Sequence, residues 1–213
     1  MTRTVATLLV LGAVSTGCQD NVATPFPMGL EPFEDNPVML GGDLTDETLH
    51  GASKDGSEVK VYGKGYVETS PSRLWALTKQ PTAMVARCST DAQQITDGDE
   101  PTYEYSFLVH YTVHNVVTVE WDDQWRYGLV LGTQDDVQLA MVRHQKIQGS
   151  DFITTSEGTI EVLATDDPQV SELDFVEHLD AISGGIVEVA NGMQDNYNRL
   201  VALAHDAPLP ACP

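Results

Sequence analysis

Val67-Glu68-Thr69-Ser70-Pro71-Ser72-Arg73-Leu74-Trp75-Ala76-Leu77 is where the chain passes from strand to helix. Upstream, Val59, Val61, Gly63, Gly65 and Val67 alternate with polar neighbours, the period of a strand with one buried face. Ser70 has the hydroxyl of an N-cap, and Pro71 suits the first helical position, where no N–H is needed. Leu74, Trp75 and Leu77 then fall at the buried spacing of a short helix. Gln80-Pro81 interrupts it, and residues 82–87 resume as a second short helix.

Beyond these helices, turn residues divide the chain into strands at about 91–97, 103–113, 115–121, 124–131, 137–147, 152–164 and 171–180. Turns are expected at Asp97-Gly98-Asp99, Asp122-Asp123, Gly132 to Asp136, Gly149-Ser150-Asp151 and Asp166-Asp167-Pro168. Tyr103, Tyr105, Phe107, Val109, Tyr111 and Val113 share one face, while Glu104, Ser106, His110, Thr112 and His114 share the other. One sheet face is therefore expected to be buried and the other wet. From Gly184 to His205 the period becomes helical, through Ile186, Val189, Ala190, Met193, Tyr197, Leu200, Val201 and Ala204. A long helix beside an antiparallel sheet buries the sheet's apolar face, and the space between them either fills with side chains or stays open. Gly63, Gly65 and Gly128 would suit bends in the sheet.

The order strand, two short helices, a run of strands and a long last helix resembles the START-like (SRPBCC) superfamily, the helix-grip fold that includes polyketide cyclases. The likeness covers residues 58–206, and the Ser-Pro…Trp opening quoted above is similar to the family's own. The expected class is α+β: a curved antiparallel sheet of six to seven strands wrapped around a long C-terminal helix, with two short helices after strand 1. The resemblance implies a small hydrophobic or amphipathic ligand, lipid included, held between sheet and helix. Candidate liners are Trp75, Phe107, Val109, Tyr111, Trp125, Tyr127, Met141, Phe175, Ile186, Val189, Met193 and Tyr197, with Arg126 or Arg143 as polar anchors. It also implies that the second short helix lies near the C-terminal part of the long one, so that Cys88 and Cys212 could form a disulfide. Two alternatives stay open. One is a cyclase- or hydrolase-type enzyme using Glu177, His178 or Asp180 inside the cavity; the other is an interaction module with a filled core and no cavity above about 300 Å³.

The 213 residues hold 11 Lys plus Arg against 32 Asp plus Glu, a net charge of -21. Such a chain is repelled by nucleic-acid backbones and anionic head groups, so nucleic acid is excluded as a partner. Its hydrophobic content of 41% supplies one core of roughly 150 residues, with appendages. Residues 1–17 have the parts of an export signal: Arg3, an apolar run from Val5 to Val14, and the small Ser15, Thr16 and Gly17 before Cys18. The run is too short to span a bilayer. The small residues and Cys18 resemble the lipobox of bacterial lipoproteins, which implies an acylated Cys18 and a lipid-anchored protein of the cell envelope, periplasmic or on the outer face. Ser15 stands where that pattern usually has Leu, which leaves ordinary secretion as the alternative. Residues 18–57 read as an acidic, Pro- and Gly-rich membrane tether, with Phe26, Phe33 and the Val38 to Leu40 run able to dock back on the domain. Residues 207–213 form a tail.

No nucleophile elbow, His-Glu-x-x-His, phosphate-cradling loop or dinucleotide fingerprint occurs, so neither cofactor nor metal is expected. His110 and His114 lie about 13 Å apart on a strand, too far to chelate together. His178 and Asp180 share a strand face, as an acid-base or two-ligand pair or as solvated groups of an outer face. The cluster from Glu120 to Tyr127 has two readings as well. Arg126 could anchor a ligand carboxylate between stacking tryptophans, or Trp121 and Trp125 could be core around an acidic turn with Arg126 pairing to Glu120. Gly184-Gly185 could present helix N–H groups to an anion or simply start the helix.

Overall fold

The computed structural model describes residues 20–212 except 43, 86, 87, 89, 99 and 115; the leader and Cys18 lie outside the described residues. Strand β1 (Glu47–Asp55) turns through Gly56 into β2 (Glu58–Val67), followed by helices α1 (Pro71–Thr78) and α2 (Pro81–Met84). Then come β3 (Ala92–Asp97), β4 (Tyr105–His114), β5 (Thr118–Thr133), β6 (Asp136–Gly149), β7 (Ile153–Ala164), β8 (Ser171–Ala181) and helix α3 (Ile186–Ala204). The strands form one antiparallel sheet in the order β1-β2-β8-β7-β6-β5-β4-β3, and α3 packs on it. This is the helix-grip arrangement. The opening forms as its residues dictate: Ser70 Oγ accepts from Arg73 N–H at 3.4 Å, Pro71 opens α1, and Leu74 and Trp75 are buried.

Three features differ from the sequence expectation. The sheet has eight strands rather than six to seven, because residues 47–55, read as tether, hydrogen-bond along β2. Asp122-Asp123 is not a turn: both residues lie inside the continuous strand β5. There Asp122 pairs with His110 and Gln148, and Asp123 with Val109 and Lys146. With a partner strand on each side the backbone groups of both aspartates are satisfied, and this outweighs their turn preference. The irregularity falls on β6, which carries Ile147 as an extra residue opposite the Asp122/Asp123 step, a β-bulge.

The third difference is the outer face of the sheet, which is covered. Residues 20–38 cross it as a strap rather than leaving it as a tether would. Val22 and Thr24 N–H donate to Gly149 and Ile147 carbonyls at 2.9 and 2.7 Å. Phe26 lies under the Arg126 guanidinium at 3.8 Å, and Phe33 under that of Arg143 at 4.0 Å. Leu30 sits where a Cβ on Gly128 would collide with it. Farther along, Glu34 accepts from Tyr62 and Lys60 at 2.8 and 3.1 Å and meets His178 at 2.7 Å, while Asn36 donates to the Gly63 and Phe175 carbonyls. The strap thus gives Lys60, Tyr62 and His178 a carboxylate partner and lays aromatic rings on Arg126 and Arg143, which offsets part of the cost of burying His178 and the two guanidiniums.

The inner core gathers at the C-terminal half of α3. Trp75, Phe107, Tyr127, Phe175, Leu173 and Leu200 are fully buried there. Tyr197 donates to the Tyr66 carbonyl at 2.5 Å, Arg199 to the Val85 carbonyl at 2.7 Å, and Arg73 to the Ala204 carbonyl at 3.1 Å. A disulfide joins Cys88, just after α2, to Cys212 in the tail, with Cα atoms 5.3 Å apart. Trp75→Ala would cost about 3–5 kcal/mol in this setting.

The strap's ionic contacts have a pH window. Tyr62, His178 and Lys60 hold the Glu34 carboxyl below its ordinary 4.5 against the opposing effect of burial, so its contribution is present above 4.5 and lost as pH falls through its folded value. His178 is shifted the other way. Its pairing with Glu157 and Glu34 outweighs burial and raises it above 6.5, so its contribution is present below 6.5 and lost as pH rises through its folded value. Limited proteolysis within residues 20–38 is therefore expected to be slowest between about pH 5 and 6.5 and faster on both sides. A flat profile would show that this pairing does not hold the strap.

Candidate functional site

The N-terminal half of α3 leaves the sheet uncovered, and a cavity of about 590 Å³ opens between them. Helix residues Glu188, Val189, Gly192, Met193 and Asn196 form its roof. Tyr111, Val113, Val119, Trp121, Trp125, Ile153 and Leu179 form apolar walls from β4, β5, β7 and β8. The mouth lies among Val116, Val117, Phe152, Ile182 and Gly184, in the loops at one end of the sheet. Gly192 leaves the helix side of the cavity open. A Cβ on Gly192 would meet nothing within 4 Å.

Of the candidate liners, Tyr111, Trp125, Val189 and Met193 line this cavity. Trp75, Phe107, Val109, Tyr127, Phe175 and Tyr197 do not; they fill the opposite, closed half of the interior as core. Ile186 packs against the core at the start of α3 without lining the cavity. Met141 lies on the outer face, opposite Gly128, since its neighbours Ala140 and Val142 point inward. Arg126 and Arg143 alternate outward for the same reason and anchor nothing in the cavity. Arg126 bonds Glu100 at 2.6 Å rather than Glu120, and both guanidiniums face the strap. On β8 the register decides among the acid-base candidates: Glu177 points into the cavity, whereas His178 and Asp180 point out. His110 and His114, also outward, pair with Asp122 at 2.6 Å and Asp91 at 3.6 Å.

Two polar residues that the sequence reading did not place in the site complete its deep end. His144 Nε2 lies 3.1 Å from the Glu177 carboxylate, and its ring stacks on Trp125 with centroids 4.2 Å apart. The pair closes over Gly158, the β7 residue between them, where any Cβ would collide with His144 Nε2 and the Glu177 carboxylate. Asp123 reaches in from β5 and is 4% exposed. Trp121 Nε1 faces its carboxylate without completing a hydrogen bond. Of the cavity's described liners, Trp121 Nε1, Asp123 Oδ1, Trp125 Nε1, His144 Nδ1 and Asn196 Oδ1 are buried without a partner. Alternation along β5 would have revealed Asp123, had its strand been read as continuous.

Burial pushes the Asp123 carboxyl from 3.8 up to about 7, with Glu177 adding to the rise and His144 and Lys146 opposing it. His144 is itself raised above 6.5, because Glu177 and Asp123 outweigh the opposing effect of burial. Lys146 does not line the cavity. Its ammonium donates to the Ser150 and Ile153 carbonyls at 2.9 and 2.5 Å. No group of three or more metal-ligating side chains occurs among the described residues, and no described helix is long and apolar enough to cross a membrane.

No family model and no curated protein matches the chain. Among solved structures, the lipid transfer and protein localization domain of human StarD13 is similar with a TM-score of 0.50 and 9% identity, over 78% of this chain and 87% of that one. The Zhui aromatase/cyclase of a Streptomyces species has a TM-score of 0.48 and 10% identity, over 75% and 94%. A START superfamily protein from Mycobacterium smegmatis has a TM-score of 0.46 and 11% identity, over 69% and 97%. The likeness to the human domain shows the START-like helix-grip fold.

Between pH 3.8 and about 7, folded Asp123 keeps a proton that the unfolded chain has released, so this group makes stability fall as pH rises through that window. Asp123→Asn removes the effect. Its stability relative to the parent is expected to improve from pH 4 to pH 8 by on the order of 4 kcal/mol, roughly 10 °C in Tm. Parallel Tm curves for the two proteins would show that Asp123 is not held neutral.

Proposed function

We propose that the chain is an exported START-like container that carries a small hydrophobic or amphipathic molecule in the cavity beneath α3. The observation that carries this reading is the cavity itself: about 590 Å³, walled by apolar side chains, with a few polar groups converging at one end. Ligand sites run from about 300 to 1,000 Å³ and have this mixture of lining. A filled-core interaction module would lack such a space. The similar human domain is named for lipid transfer, a class of cargo that an apolar cavity of this size suits. The enzyme alternative keeps Glu177 but loses His178 and Asp180 to the outer face.

We place the protein in the bacterial cell envelope, attached through a lipid on Cys18, with secretion as the alternative. The apolar run Val5 to Val14 and the small residues before Cys18 support export, as does the Cys88–Cys212 bond, of a kind that persists in oxidising compartments. On this reading residues 20–38 act as the strap described above, so a membrane anchor at residue 18 would hold the domain close to the bilayer.

Native mass spectrometry of protein purified from an exporting bacterium is expected to show an extra mass that leaves on denaturation. Gly192→Phe should abolish at least about nine-tenths of that occupancy by filling the cavity. Its Tm should be unchanged or higher, since a mid-helix glycine costs roughly 0.5–1 kcal/mol. Protein that carries no extra mass and binds no apolar fluorophore would overturn the container. Metabolic labelling with a radioactive fatty acid should mark the parent and not Cys18→Ser, and an unlabelled parent would exclude the anchor.

A further inference from the structure

The deep end of the cavity has a sign. Asp123 and Glu177 bring two carboxyl groups into it, and Glu188 stands at its rim. The one cationic partner among its described liners is His144, already paired with Glu177 at 3.1 Å. The nearby basic side chains are turned elsewhere: Lys146 to two backbone carbonyls, Arg199 to the Val85 carbonyl and Asp195, Arg126 and Arg143 to the outer strap. The N-terminus of α3, which would favour an anion, carries Glu188 in its first turn. Two buried oxygens without partners, Asp123 Oδ1 and Asn196 Oδ1, belong to residues that line this chamber. Its walls are aromatic, with Trp125 stacked between Phe107 and His144, and Trp121 on Tyr111 at 4.9 Å.

We propose that this end of the cavity recognises the ammonium group of an amphipathic amine, whose hydrocarbon part occupies the apolar chamber toward the mouth. The inference rests on the container reading and adds the class of cargo. Buried acceptors without partners are costly until a donor fills them, and an ammonium supplies three donors and the missing positive charge. The unpartnered donors present, Trp121 Nε1, Trp125 Nε1 and His144 Nδ1, are single N–H groups that can take a hydroxyl oxygen next to the amine. They do not offset the cost of a third carboxylate beside Asp123 and Glu177.

Displacement of the uncharged fluorophore N-phenyl-1-naphthylamine from the purified full chain at pH 7.5, below micellar concentrations, tests the inference. Dodecylamine is expected to displace it at about tenfold lower concentration than dodecanol and about a hundredfold lower than dodecanoate. Asp123→Asn should remove most of the amine's advantage over the alcohol while dodecanol still binds, which also shows that the variant is folded. Dodecanoate binding as well as dodecylamine, or an amine advantage untouched by Asp123→Asn, would overturn the assignment and leave the container standing. If neither the fluorophore nor any of the three binds, the container itself fails, and the assignment with it.

Discussion

The structure depends on how α3 is clamped. The helix is the main apolar cover for the inner face of a long sheet, and its C-terminal half is the more firmly held. Tyr197 bonds the β2 backbone, Arg199 bonds the end of α2, Arg73 bonds the last turn, and the Cys88–Cys212 bridge ties the tail to the same region. The aromatic core around Trp75 and Tyr127, whose rings lie 5.8 Å apart, fills the space beneath that half. Nothing comparable fills the other half, where Gly192 and Val189 replace bulky groups. A packed end and an open end follow from one helix held more firmly at one end over one sheet.

Charge burial is the second organising cost. The chain is strongly acidic, yet its two layers place the scarce cations with care. Outside, Arg126, Arg143, Lys60 and His178 are matched by Glu100, the strap's rings and Glu34. Inside, His144 is matched by Glu177, and below about pH 7 Asp123 is relieved by holding its proton. The two faces of β8 separate these systems by one residue, with Glu177 serving the cavity and His178 the strap. A strap on the outer face thus fixes the strand that carries a cavity residue.

Much of the fold was legible because its signals are local. The Ser70-Pro71 opening, the alternation from Tyr105 to Val113 and the helical period after Gly184 each report a face of an element, and each formed as its pattern dictates. The site was legible only in part. Tyr111, Trp125, Val189 and Met193 could be picked as inward apolar groups, but so could Phe107 and Tyr127, which are core. Periodicity tells inward from outward and does not tell which inward residues meet a neighbour. Arg126 and Met141 suit a ligand chemically, but their place in the alternation turns both outward.

By itself the sequence determined the class of fold, the long helix and the acidic character, since these follow from period and composition. Tertiary structure decided the rest. Asp122-Asp123 became strand because β4 and β6 both pair with it, and residues 20–38 became a strap because a basic, aromatic bed was waiting for them. The cavity arose where Gly192 leaves open space on the helix face opposite the sheet. Such outcomes depend on partners far away in the chain, and no local pattern encodes the distance between them.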